Sequence, residues 1–490
     1  MAQNYDVIII GAGIVGTMIA RELSRYELSI ALIDREADVG MGQSTSNSAI
    51  IHSGHDPEPG TLKARLNVRG NALWYQIAPE MGVPIHRTGA MIVATTPEQA
   101  RQLEGLRLRG LQNGVEELRI LTPEEARERE PLLTDSVHGA LLTPSAGVVD
   151  PFQGVLAAGE IAALNGVHVQ LNTEVTGFIQ ENDQILGVIT NQGELRGTWV
   201  INAAGVHSDD LMHSAGLHEE FAISARRGEY FVFDQSALQV NTVLFPMPGA
   251  KGKGILVTPT THGNTMVGPN SDLVADKEDN AVTRDGLHEI LAGALQLIPS
   301  LQPKDVIATF AGLRATGNYL PDGQHRDFLI EPSRDPRGML NLGGIESPGY
   351  AAAPAIAEYV VEVLRAEGLE LRMRTSWTST RRQIPRFKEL THDQRRDLVT
   401  ENPAFGRIVC RCEEVTEGEI LMAIRSPIPA TTYDAIKRRT WLGTGRCQGS
   451  FDYPRTMEIL ARELNIPMTA VTKRGPGSVF LYRRTKEEVL

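Results

Sequence analysis

The stretch from Tyr5 to Asp34 leaves this chain few folds to choose from. Tyr5–Ile10 (YDVIII) is a short, almost continuous apolar run, the pattern of a strand buried on both faces in a parallel sheet. Gly11-Ala12-Gly13-Ile14-Val15-Gly16 follows at once. A helical pattern then puts Ile19, Ala20 and Leu23 on one face, and Leu28–Ile33 (LSIALI) is a second buried strand ended by Asp34. Gly11 permits the tight turn, Gly13 lets backbone approach a pyrophosphate, and Gly16 lets helix and strand pack closely. The helix N-terminus faces the phosphate charge. Asp34 falls where an acid, roughly 20 residues beyond the glycines, accepts hydrogen bonds from an adenosine ribose. Strand, glycines, helix, second strand and acid together predict a dinucleotide-binding unit. The glycines alone do not separate FAD from NAD.

Two later segments favour FAD. Trp199–Gly205 (WVINAAG) is an apolar strand ending in small residues. It follows a meander with turn signals at Asn182-Asp183 and Asn191-Gln192-Gly193. Gly343-Gly344-Ile345-Glu346-Ser347-Pro348-Gly349 then opens an apolar helix from about Ala351 to Leu364. Such a loop can aim backbone N–H groups at the charge of a reduced flavin ring; its bland reading is a plain loop before a core helix.

The chain has 490 residues, too many for one hydrophobic core. Its net charge of -12 argues against nucleic acid as the main partner without excluding a small anionic substrate. No run approaches a spanning helix, and no basic leader precedes the first strand, so a cytoplasmic chain is expected.

Ser44–Pro59 (STSNSAIIHSGHDPEP) carries His52 and His55 among small polar residues. A neutral imidazole there suits removal of a hydroxyl proton, because histidine titrates near working pH. The plain alternative is a histidine in a satisfied local hydrogen bond. Lys251-Gly252-Lys253-Gly254 precedes an alternating strand, Ile255–Pro259, and reads as a solvated turn or an anion contact. Arg314 is the one charge in Phe310–Thr316 (FAGLRAT). It is either half of a structural ion pair or a fork for carboxylate or phosphate.

Gly11–Gly16, Asp34, Asn202–Gly205 and Gly343–Gly349 resemble the glycine/D-amino-acid oxidase superfamily of flavoproteins. That resemblance implies an α/β fold with a Rossmann-like FAD-binding domain interleaved with an antiparallel β-rich substrate domain, followed by a small, mainly α module. The expected segments are 1–85, 145–215 and 325–368 for FAD and 86–144 and 216–324 for substrate. A linker at 369–406, a module at 407–465 and a tail at 466–490 follow. Gly11, Gly13, Gly16, Asp34, Ser46, Ala204, Gly205, Gly344 and Gly349 are the expected cofactor-binding residues. The segments SNSAIIHSGHDP, KGKGILVTPT, FAGLRAT and GGIESPG look more closely like type II FAD-dependent glycerol-3-phosphate dehydrogenases and oxidases. By that resemblance His52 is the catalytic base, Lys253 and Arg314 contact the phosphate end of the substrate, and Ser48 and Ser347 line the site. The FAD would be held non-covalently. More weakly, the same segments are similar to L-2-hydroxyglutarate dehydrogenases. A 2-hydroxy acid dehydrogenase, an amine oxidase, and an electron-transfer or assembly subunit are the competing readings. The electron acceptor (quinone, partner protein or oxygen) stays open.

Residues 369–406 are rich in Arg, Lys, Thr and Pro and read as a linker with one helix near 391–399. Their basic stretch Arg381–Lys388 reads as solvated, with contact at the inner face of a membrane as the alternative. Cys410, Cys412 and Cys447 follow, and paired thiolates at short spacing are what iron–sulfur clusters need. This segment is similar to the bacterioferritin-associated ferredoxin-like [2Fe–2S] domain, but Asp452 stands where that pattern has its fourth cysteine. Asp452 as an oxygen ligand, an incomplete cluster, and loss of the cluster with the module kept for docking are all open, with loss placed first. A zinc site, or three buried thiols with no ligand, complete the alternatives.

Overall fold

In the computed structural model, the described residues are 3–218, 220–249, 254–319, 324–325 and 327–483. The opening residues form strand β1 (Gln3–Ile10), helix α1 (Ile14–Leu23) and strand β2 (Ile30–Ile33). Val7, Ile8 and Ile9 are fully buried, as a strand covered on both faces must be. Ile19, Ala20 and Leu23, the expected inner face of α1, are fully buried too.

Parallel strands run Arg337–Gly343, Gly193–Asn202, β1, β2 and His168–Gln170 across the centre of an eight-stranded sheet. The meander Val175–Glu181, Gln184–Thr190, Gly193–Asn202 supplies its antiparallel flank. Its first turn is at Asn182 and Asp183, both at positive φ. Helices α2 (Leu62–Met81) and α3 (Pro151–Leu164), with Gly349–Ala366, pack with α1 around Trp74, Leu156 and Ile356.

A second, mostly antiparallel sheet of ten strands stands beside the first. Its spine is the long pair Phe221–Phe233 and Val306–Tyr319, in register with Arg226 opposite Arg314 and Gly228 opposite Gly312. A third, small sheet joins Ile50–Ile51 to Gly147–Val149 and fixes the chain immediately before His52. The fold is therefore the α/β arrangement expected, with a nucleotide-type sheet beside an antiparallel one.

The basic stretch departs from expectation. Arg381 is not solvated: its side chain is 5% exposed and meets Glu160 of α3 at 2.7 Å. The helix of this region spans His392–Glu401. Beyond it a hairpin, Ile408–Cys410 with Val415–Thr416, and helices Glu417–Ile424, Tyr433–Thr440 and Tyr453–Leu464 enclose a separate apolar core. Among the described residues no helix is long and apolar enough to cross a membrane.

Candidate active site

A cavity of about 1340 Å³ opens between the two sheets. One end is walled by Gly11, Gly13, Asp34, Ala204 and Gly205, and the other by Ser46, Ser48, His52, Arg314 and Ser347. The nucleotide end follows from close backbone approach. A Cβ on Gly16 would lie 1.9 Å from the Gly11 carbonyl oxygen, so only glycine lets α1 start this near β1. The Asp34 carboxylate accepts from the Ala12 and Glu36 amides at 2.6 and 2.9 Å. Burial pushes its pKa up against those two hydrogen bonds. Gly349 lies on the wall, at the first turn of Gly349–Ala366. The donor set thus fits an FAD: a helix N-terminus whose N-cap, Gly13, offers no side chain to close it, a cradle a Cβ would fill, and an acid at the end of β2. Gly16 and Gly344 are not on the wall itself; Gly344, at φ +65°, lies behind it against Gly317.

At the far end the two histidines separate. His52 lies on the cavity wall with its Nε2 3.5 Å from the Ser347 Oγ. Its carbonyl accepts from Asn67 and Asn71 of α2 at 2.8 and 3.1 Å, which holds the backbone in place. His55 is buried off the wall and bonded to the Ser53 hydroxyl at 3.0 Å. Gly312 packs directly on the loop that carries Ser46, since a Cβ there would lie 1.9 Å from the Ser46 carbonyl oxygen. That contact seats the Phe310–Thr316 strand, and Arg314 with it, over the cavity. The Arg314 guanidinium donates to the Ser271 hydroxyl at 3.0 Å and the Asn270 carbonyl at 2.9 Å. Both acceptors are neutral, and among the described residues Arg314 makes no ion pair, so its charge is uncompensated for an incoming anion. Lys251 and Lys253 lie outside the described residues; Gly254, next to Lys253, is on the wall.

Sequence reasoning missed Tyr230, Asn270 and Ser271. Tyr230 shares a 3.2 Å hydrogen bond with Ser48 and stacks on Phe310 at 4.6 Å between centroids. Burial raises its pKa. Ser271 and Asn270 sit in a loop whose only signal is polarity. The Lys63–Glu346 pair at 3.2 Å, extended by Thr316 donating to Glu346 at 2.8 Å, fixes the residue before Ser347.

In the C-terminal module the three thiols come together. Cys410 and Cys412 sulfurs are 3.7 Å apart, and Cys412 and Cys447 sulfurs 3.3 Å. Asp452 is buried beside Cys410, and the two act on each other electrostatically. Burial pushes the Cys410 thiol well up. No three His, Cys, Asp or Glu side chains among the described residues surround a position for one metal ion.

Comparison with known proteins agrees with both halves. Residues 6–363 match the FAD dependent oxidoreductase family, and residues 408–462 match the BFD-like [2Fe-2S] binding domain. The glycerol 3-phosphate dehydrogenase of Caloramator mitchellensis is 41% identical over 486 residues, covering 99% of this chain and 100% of that one. The glycerol 3-phosphate oxidase of Mycoplasma genitalium is 32% identical and covers 76% of this chain and 97% of its own. Among solved structures, the dithionite-reduced L-alpha-glycerophosphate oxidase of Mycoplasma pneumoniae with FAD bound superposes with a TM-score of 0.72 at 31% identity. It covers 77% of this chain and 98% of that one.

Proposed function

We infer the function of this chain from one premise: it belongs to the FAD dependent oxidoreductase family. It oxidises the secondary alcohol of glycerol 3-phosphate, or a close analogue, to the ketone dihydroxyacetone phosphate. The observation that carries this reading is the placing of roles along one cavity: the His52–Ser347 pair on one side and, on another, Arg314, which makes no ion pair among the described residues. The full-length likeness to a glycerol 3-phosphate dehydrogenase supports the same substrate.

Bound FAD supplies the hydride acceptor. The protein's own residues do the rest. His52 Nε2 accepts the hydroxyl proton as the carbon gives up its hydride. Ser347 holds the imidazole edge towards that hydroxyl. Arg314 takes the phosphate through its planar fork, with Asn270 and Ser271 fixing the fork's plane. Lys253 is assigned to the same phosphate end on the resemblance of its segment. Holding both ends of a small substrate places its reacting carbon without a search, which is where much of the rate enhancement comes from.

Anaerobic protein mixed in turn with sn-glycerol 3-phosphate, glycerol and L-2-hydroxyglutarate tests the reading through flavin absorbance. Bleaching by glycerol 3-phosphate and neither of the others is the expected result. Bleaching by the hydroxy acid alone would move the anion contact from phosphate to carboxylate and overturn the substrate. Readmitting oxygen or a quinone to the bleached protein identifies the electron acceptor.

A further inference from the structure

Strand Phe221–Phe233 carries two adjacent arginines, which its alternation sends to opposite faces. Arg227 has counter-charges: Asp279 at 2.7 Å and Glu229 at 3.5 Å, with its own side chain 11% exposed. Arg226 lies on the cavity wall and is exposed. Among the described residues it makes no ion pair and no side-chain hydrogen bond.

The register sets Arg226 directly against Arg314 of Val306–Tyr319, the other arginine on the wall. Directly opposed residues of an antiparallel pair share a face, with Cβ atoms about 4.5–5.5 Å apart. Like charges placed so destabilise the strand pair. The Arg314 side chain leans diagonally over Gly228, where a Cβ would stand 3.0 Å from its Nη2. Its acceptors, Asn270 and Ser271, are neutral. Packing explains neither the opposition of two cations nor the lack of an acid for either one. An anion in the cavity explains both.

We propose that Arg226 is a second phosphate-binding residue: with Arg314 it takes a phosphate monoester between two guanidinium groups, and the pair sets the preference for phosphate over carboxylate. The inference rests on the phosphate reading of the same cavity and deepens it. A phosphate monoester carries about −1.5 to −2 charge near pH 7, more than one arginine can neutralise. A carboxylate carries a single charge, and its two oxygens are filled by one bidentate fork. It would leave the second arginine facing the first. Only the more highly charged anion relieves the repulsion and offers oxygens to both forks.

Thermal melting with inorganic phosphate or acetate as the probe, and steady-state kinetics with an artificial electron acceptor, compare the wild type with Arg226→Gln. FAD content reports whether the variant folds. Without a probe the variant should melt no lower than the wild type, because a like-charge contact is gone. Phosphate should raise the melting temperature of the wild type more than that of the variant, at a phosphate Kd at least about fivefold tighter. Acetate should shift both proteins equally. KM for glycerol 3-phosphate should rise roughly 5- to 50-fold in the variant with kcat within about twofold. That loss should shrink in an Arg314→Ala background, because both residues hold one anion. If glycerol 3-phosphate fails to reduce the wild-type flavin, the substrate reading falls, and the phosphate and acetate shifts still decide the role of Arg226. A variant that melts lower without a probe, equal phosphate shifts in the two proteins, an acetate shift lost along with the phosphate shift, or strictly additive losses in KM would each overturn the proposal.

Discussion

Arg439 grips both carboxylate oxygens of Asp38, at 2.7 and 2.9 Å, and each side chain is 1% exposed. Asp38 lies just beyond β2 in the nucleotide unit, whereas Arg439 belongs to helix Tyr433–Thr440 of the C-terminal module. Arg438 adds a third contact at 3.0 Å. The module is thereby clamped to the sheet that carries the cofactor end of the cavity. Removing Asp38 leaves a buried guanidinium without its counter-charge, which costs about 3–5 kcal/mol. Asp38→Ala should therefore melt well below the wild type, with cleavage in 369–406 on limited proteolysis. An unchanged melting temperature would show that the clamp adds nothing.

The same pair gives a pH dependence. Burial alone pushes Asp38 up, but the charges and hydrogen bonds of Arg439 and Arg438 outweigh it and hold the carboxyl below its ordinary value. A lowered folded pKa means stability that is complete above about pH 4 and lost as pH falls through the folded value. Melting temperature measured from pH 7 down to pH 3 should fall more steeply for the wild type than for Asp38→Asn. Parallel curves would exclude the linkage.

Gly16 makes a sharper test of the cofactor end. The Cβ of Gly16→Ala would stand 1.9 Å from the Gly11 carbonyl oxygen, so α1 must move off β1. FAD per chain should fall at least tenfold. Gly105, on the exposed helix Pro97–Gln112, has nothing within 4 Å of its Cβ position. Gly105→Ala should keep full FAD and leave stability unchanged or raised by up to about 1 kcal/mol. Equal FAD content in the two variants would contradict the packing argument.

The residues that could be read from the sequence are those whose role is local. The periodicity of Tyr5–Ile10, the glycines beside it and the acid at Asp34 act within one βαβ unit, so spacing carries their meaning. Arg314 was visible as one charge in an apolar strand. Its orienting partners were not: Asn270 and Ser271 reach it across the one strand, Phe221–Phe233, that the fold lays between them. Arg381 shows the converse. A basic run reads as solvated because composition has no view of Glu160, which lies 221 positions away in sequence. Asp452 stood out as a departure from a pattern, but Tyr433, whose hydroxyl donates to its Oδ1 at 2.6 Å, carries no signal of its own.

Arg314 and Ser271 should divide binding between them. Arg314→Ala removes a charge-assisted contact, worth about 1.5–3 kcal/mol, and should lower kcat/KM for glycerol 3-phosphate by roughly 10- to 150-fold. Ser271→Ala removes one neutral hydrogen bond that orients the fork. It should raise KM by roughly 2- to 10-fold with kcat nearly unchanged. Steady-state kinetics with an artificial electron acceptor separate the two effects. A kcat loss without a KM change in Ser271→Ala would remove it from the positioning of Arg314.

His52 and His55 lie three positions apart, yet only His52 reaches the cavity wall. His52→Asn should bind FAD and substrate but reduce the flavin about 10²- to 10⁴-fold more slowly, the usual cost of losing a general base. Ser347→Ala should slow it far less, since the imidazole keeps its Asn67 and Asn71 backbone anchors. His55→Asn alters a side chain bonded to Ser53 behind the wall and should leave reduction within a few-fold of wild type. Stopped-flow mixing without oxygen reads the step directly, before any reoxidation can mask it. If His55→Asn and His52→Asn slowed reduction equally, the loss would report disturbance of the Ser44–Pro59 loop, and proton removal would have to be assigned elsewhere on the wall.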